Sequence, residues 1–341
     1  MSMSAAGLKK EIQSLAKALQ ADLPIAELEK LEWEFKSVVR EIVERHSGDP
    51  SCIFTVAKAQ KQMGLLRKYK SYGIKACTPL GYAIFLLNHD EGFSFQNHLT
   101  GKVELFHFLR VSDGGYAFIS GKEDWERSYR KEKFQDWLGG KADLAYESFK
   151  IFVRAGDVVK IDKPGIVHTA IGCVLEEYAT ASTDMVQRLH DQNMGKSIPK
   201  MFSKVFVQKK LDALVFPDSS TFVFTGSVSR RKPVRFLRTP FGQMRILHKA
   251  KEFIASHIAL NSKKCQKICS GPRFVSLYVT EGTGTISLKD SSGKFSEKFT
   301  LCLFKGDSIL LVPETEWQIT NTSRMPLRYS FLSVHSDLAL K

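Results

Sequence analysis

No stretch of this sequence is apolar for long enough to cross a membrane as a helix, which takes about 18 to 20 consecutive apolar residues. The start, MSMSAAGLKKEIQSL, lacks both the apolar core and the cleavage site of a secretory leader. Cysteine is scarce: Cys52, Cys77, Cys173, Cys265, Cys269 and Cys302 fall at irregular intervals in 341 residues, which argues against a disulfide framework. Cys265 and Cys269 have no second pair of matching spacing, so a structural zinc site is not indicated there. Reduced, packed thiols and a cytoplasmic location are expected. With 43% hydrophobic and 25% charged residues, the composition also excludes a globally disordered chain.

Positive charge is abundant. The formal net charge is +14, with basic residues concentrated in 58–75 and 230–238. Neither stretch has the interleaved aromatics of a nucleic-acid module. No specific nucleic-acid or membrane partner is expected. A solvated basic face is the first reading, and a small phosphorylated or anionic substrate the next. A monomer or a homodimer is consistent with this composition.

The chain changes character along its length. Leu8, Ile12, Leu15 and Leu19 predict a helix over 5–21, and Leu28, Leu31, Phe35, Val38, Val39 and Ile42 another over 25–46. From about residue 80 short apolar runs alternate with turn signals, the rhythm of antiparallel β-structure: YAIFLLN, FSFQNH, VELFHFLRV, then Asp113-Gly114-Gly115, then YAFIS. A charged, aromatic stretch at 122–147 reads as a helical insertion. The segment 190–205 reads as a linker, and a second β-rich stretch runs from about 212 to 337. Gly156-Asp157 and Gly306-Asp307 precede similar short apolar strands, which suggests an internal repeat. The expected organisation is a helical region 1–75, a β domain 76–195 and a second β domain 196–341.

Four residues of the first β domain suit one metal ion. Gln96 and His98 alternate on a strand and share a face. Glu104 follows across a short turn, and His168 comes after the Gly-Asp strand and the turn KPG. Two imidazoles, a carboxylate and an amide oxygen suit one divalent ion, zinc first and iron second, with room for water or substrate. Alternation puts His107 on the opposite face from Glu104 and Phe106.

The segment 91–109 resembles the metal-binding segment of type I mannose-6-phosphate isomerases, through Ser94-x-Gln96-x-His98 and Gly101-Lys102-x-Glu104. The segment 156–191 resembles the same family through Gly156-Asp157, Pro164-Gly165-x-x-His168 and Asp184-x-x-x-Arg188. Residues 271–313 are similar to its C-terminal barrel, including Glu281-Gly282-x-Gly284 and Gly306-Asp307. The resemblance implies two tandem cupin (jelly-roll) β-barrels, mainly β, with the metal in the first barrel and no ligand set in the second. It implies Gln96, His98, Glu104 and His168 as ligands, with Lys102, Arg188 and Glu177 in catalytic roles. It also implies a metal-dependent enzyme that interconverts an aldose and a ketose bearing phosphate. The chain departs from the family at Tyr178, where a glutamate is usual and Glu177 is one residue off. It departs again at Phe85, where a lysine is usual, and in lacking the N-terminal Trp-Gly segment. An iron-dependent cupin oxygenase and a non-catalytic sugar-binding bicupin remain the alternatives.

Overall fold

A computed structural model describes residues 37–45, 49–66, 76–77, 82–87, 95–98, 102–119, 150–161, 168–180, 186–191, 196–197, 222–225 and 236–336, with a few isolated positions before residue 37. Of the two helices expected near the N-terminus, residues 37–45 are helical and most of the rest lies outside the described residues. The helical insertion expected at 122–147 lies outside them entirely. The chain forms two compact units. A central unit comprises Tyr69–Lys75 and Ile84–Pro233, and a terminal unit comprises Met1–Lys68, Ala76–Ala83 and Val234–Lys341.

The terminal unit contains α1 (Pro50–Leu66), a helix the sequence reading did not identify. Its start is well specified. Asp49 accepts the Ser51 amide at 2.9 Å as N-cap, and Pro50 takes the first helical position, where its missing amide hydrogen is not needed. The apolar face is built partly from small residues (Cys52, Val56, Ala57 and Ala59 are buried), which blunts its signal in the sequence.

Strands are numbered in chain order. The first ten are β1 (Ala76–Cys77), β2 (Tyr82–Leu87), β3 (Phe95–His98), β4 (Glu104–Ile119), β5 (Lys150–Phe152), β6 (Val158–Ile161), β7 (His168–Ala179), β8 (Val186–Asp191), β9 (Lys196–Ser197) and β10 (Phe222–Thr225). In the central unit the order is β10-β6-β4-β7-β3-β8-β9, with β5 on β4 and β2 on β7. The segment read as linker contributes β9, which pairs with the end of β8.

The terminal unit holds β11 (Phe236–Thr239), β12 (Gly242–Lys249), β13 (Phe253–Leu260), β14 (Cys265–Cys269), β15 (Arg273–Glu281), β16 (Thr283–Lys289), β17 (Phe295–Phe304), β18 (Ser308–Leu311), β19 (Glu316–Asn321) and β20 (Leu327–His335). One sheet has the order β11-β12-β13-β20-β15-β18 and the other β14-β19-β16-β17. From β13 onward the chain passes repeatedly between the two sheets, as in a jelly roll. Burial alternates along β16 and β19, as it does when one face of a sheet is buried. Trp317, Ile319, Ile286 and Leu303 of one sheet and Leu277, Val279, Leu311 and Tyr329 of the other are buried, and the Tyr329 hydroxyl donates to Gln266.

The two Gly-Asp turns are the same device. In the central unit Gly156 has φ 92°, Arg154 N donates to Asp157 Oδ2 at 2.8 Å, Gly156 N to Phe108 O at 2.7 Å, and Phe108 N to Asp157 O at 3.0 Å. In the terminal unit Gly306 has φ 94°, Phe304 N donates to Asp307 Oδ2 at 2.8 Å, Gly306 N to Val279 O at 2.8 Å, and Val279 N to Asp307 O at 2.8 Å. Glycine is required because this φ disfavours any side chain. Aspartate is required because its carboxylate satisfies an amide inside the turn. The device positions β6 in one unit and β18 in the other.

Candidate metal centre

β4 is the spine of the site, and its register decides which side chains meet. It pairs with β6 through Glu104↔Ile161 and Phe106↔Val159, and with β7 through Glu104↔Ala179, Phe106↔Glu177 and His107↔Glu176. Residues directly opposite in an antiparallel ladder share a face. Glu104, Phe106 and Glu177 therefore lie on one face of the sheet, and His107, Glu176 and Tyr178 on the other, as alternation predicts for His107.

On the first face the side chains converge. His168 Nε2 is 2.8 Å from Glu104 Oε2, and both residues are fully buried. Lys102 Nζ donates to Glu104 Oε1 in a short contact and reaches Glu177 Oε1 at 3.4 Å. The Phe106 ring meets the His168 imidazole edge-on, with centroids 5.7 Å apart. Burial alone depresses an ammonium, but the carboxylates of Glu104 and Glu177 outweigh it and hold Lys102 above the ordinary lysine range.

This meeting requires a bent sheet. His168 begins β7 opposite Ile119, whereas Glu104 stands opposite Ala179 at the other end of the same ladder. Along a straight strand those positions would lie about 36 Å apart. The ladder breaks register between Phe108 and Arg110 and again between Val111 and Tyr116, irregularities of the kind at which a paired strand bends. The sequence reading placed a turn between two strands at Asp113-Gly114-Gly115. Instead β4 runs unbroken from Glu104 to Ile119 and carries those residues as a bulge. Gly115 is obligatory there, since a Cβ would lie 2.5 Å from Gly172 O and 2.7 Å from Val111 Cγ1. Ser112 Oγ donates to the same carbonyl at 2.8 Å.

The backbone brings the other expected residues to the same place. Gln96 on β3 stands directly opposite His168 on one side and Arg188 on the other. His98 stands two positions along β3, opposite Val186, and so shares the face of Gln96. The side chains of Gln96, His98 and Arg188 lie outside the described residues, as do Pro164, Gly165 and Asp184 altogether.

The described donors fit a divalent cation. A carboxylate oxygen and an imidazole nitrogen, both shut off from water, face each other at 2.8 Å. A buried carboxylate beside a buried imidazole is a donor pair that divalent ions commonly take.

The register also shows which faces Glu177 and Tyr178 take. The ladder is continuous from Glu104 to Phe108, so Glu177 takes the Glu104 face without a bulge, while Tyr178 faces away and its hydroxyl donates to Glu176 at 3.2 Å. Sequence reasoning missed Glu176. Its signal was a polar residue on a strand, VLEEYA, that is buried on both faces.

No family model matches the sequence, and no curated protein matches it. Solved structures do. Mannose 6-phosphate isomerase from Bacillus subtilis aligns at 14% identity over 74% of this chain and 74% of that one, with a TM-score of 0.49. Oxalate decarboxylase from Bacillus subtilis aligns at 12% identity over 76% and 71%, with a TM-score of 0.44. A cupin 2 conserved barrel domain protein from Leptotrichia buccalis aligns at 11% identity over 76% and 86%, with a TM-score of 0.36. These are likenesses of architecture and place no chemistry on this chain.

Proposed function

We propose that the central unit binds one divalent metal ion through Glu104 and His168, with Gln96 and His98 completing the set, and that the protein is a metal-dependent aldose–ketose isomerase for a phosphorylated or anionic sugar. The observation that carries this reading is the buried Glu104–His168 pair at 2.8 Å, with Gln96 in register beside His168. The resemblance of segments 91–109 and 156–191 to type I mannose-6-phosphate isomerases points the same way. When bound, the metal would supply Lewis acidity toward the hydroxyl and carbonyl oxygens of the sugar.

Moving a proton between adjacent carbons needs a base and a group that stabilises the developing oxyanion. Glu177, on the same face as Glu104, moves that proton in this reading. Lys102 bridges the two carboxylates and anchors a sugar hydroxyl. Arg188, opposite Gln96, supports the anionic end of the substrate. Phe106 packs against His168 and keeps that ligand dry.

The test is solvent exchange. Zinc-reconstituted protein incubated with mannose 6-phosphate in deuterated water is expected to incorporate deuterium at C2, read by NMR. A fully metallated protein that neither exchanges this proton nor does so with other aldose phosphates would overturn the isomerase reading. Oxygen uptake by iron-loaded protein would favour an oxygenase instead.

A further inference from the structure

β4 and β7 are buried on both faces where they carry Glu104 and Glu177. Every residue from Val103 to Phe108, and every residue from Leu175 to Thr180, is buried. A strand with one wet face is held in register by its own alternation, because a one-residue slip would move core side chains into water. A strand buried on both faces feels no such penalty. Nor can the far end of the ladder transmit its register, because two breaks intervene at Phe108/Arg110 and Val111/Tyr116. Specific side chains must therefore choose the alignment of Glu104 with Glu177.

The face turned away from Glu104 carries such a device. His107 stands directly opposite Glu176, with Nδ1 2.9 Å from Oε2, and the Tyr178 hydroxyl donates to the same oxygen at 3.2 Å. None of the three is more than 2% exposed. Beyond them, Val103 N donates to Thr180 Oγ1 at 3.0 Å.

We infer that the His107–Glu176 pair, with Tyr178, is a register lock, and that His107 and Glu176 are positioning residues for Glu104 and Glu177. The inference rests on the metal-site reading above. A slip of one residue would put His107 opposite Leu175 or Glu177 and turn Glu104 to the wrong face. A slip of two would keep the faces but carry Glu104 about 6.6 Å along β7. Either error parts the Glu176 carboxylate from the His107 imidazole. Buried ionic pairs add little net stability against apolar residues of the same size, but they discriminate strongly between alignments. The pair does this from the face of the sheet turned away from Glu104.

The test uses the full chain reconstituted with cobalt(II), whose visible absorption reports ligand geometry. In the double variant His107→Leu/Glu176→Leu the melting temperature and far-UV spectrum are expected to stay near those of the wild type. Cobalt affinity should fall about tenfold or more, with a weakened visible band. The swapped variant His107→Glu/Glu176→His keeps the pair on the same face and should restore both. Wild-type cobalt affinity and spectrum in the apolar double variant would overturn the inference, as would full cobalt binding by Glu104→Ala/His168→Ala, which would put the ion on His107 and Glu176 themselves. If the apolar variant does not fold, Glu176→Gln carries the same test: it keeps the shape and removes the charge, so a several-fold loss supports the lock and unchanged binding overturns it. A wild-type protein that takes up no cobalt would refute the metal reading itself, and the lock with it. Uptake by the wild type with unaffected variants would refute the lock alone.

Discussion

At the scale of single residues, the site depends on who faces whom. Glu104 and His168 were legible because a carboxylate and an imidazole stood in apolar strands at positions that matched a known segment. Alternation also assigned His107 to the opposite face. Which glutamate joins the site was not legible, since Glu176, Glu177 and Tyr178 are consecutive and only the register chooses among them. The variants His168→Ala and Glu104→Ala are each expected to lower metal affinity by a hundredfold or more while the far-UV spectrum stays β-like; retention of metal by both would remove the site. Cys173 yields a separate prediction. Burial pushes its thiol up from 9.0 to about 12, so the folded protein keeps the proton that the unfolded chain releases. Its contribution to stability is full below pH 9 and is lost as pH rises toward about 12. Urea midpoints measured at pH 8 and pH 10.5 should therefore fall less in Cys173→Ala than in the wild type. An equal fall would show that another group dominates.

At the scale of elements, the strand rhythm was readable but the course of β4 was not. Asp113-Gly114-Gly115 has the composition of a hairpin turn, yet it forms a bulge because β7 lies alongside both halves of β4 and holds them in one ladder. That bend is what lets the two ends of the ladder meet. Gly115→Ala is expected to destabilise the protein by about 1–3 kcal/mol, since its Cβ would strike backbone, and to weaken metal binding as well. A stability loss with unchanged metal affinity would separate the bend from the site. Helix α1 escaped detection because its buried face is made partly of small residues. It docks through Phe54, whose ring centroid is 5.6 Å from that of Phe299, and through Lys61, which reaches Asp307 Oδ2 at 3.1 Å.

At the scale of the whole molecule, the repeat suspected from two Gly-Asp pairs proves to be a repeat of hydrogen bonds. The same turn serves both units, and Asp307 also receives the Lys61 ammonium at 3.1 Å. Asp307→Ala is expected to cost about 2–4 kcal/mol by removing both a buried acceptor and the partner of Lys61. A loss below about 1 kcal/mol in denaturant titrations would contradict this. A comparable cluster of buried ionisable side chains is not repeated among the described residues of the terminal unit. The central unit gathers Lys102, Glu104, Glu177 and His168, whereas the side chains buried between the sheets of the terminal unit are largely apolar, Trp317 and Tyr329 being the largest.

The central claim is that one divalent metal ion belongs to Glu104 and His168. Elemental analysis of tag-free protein, purified without added metal and then reconstituted with zinc, tests it most directly. The account predicts about one divalent ion per chain in the wild type and none in His168→Ala; a wild-type protein that holds no metal after reconstitution, or a variant that holds as much as the wild type, would contradict it.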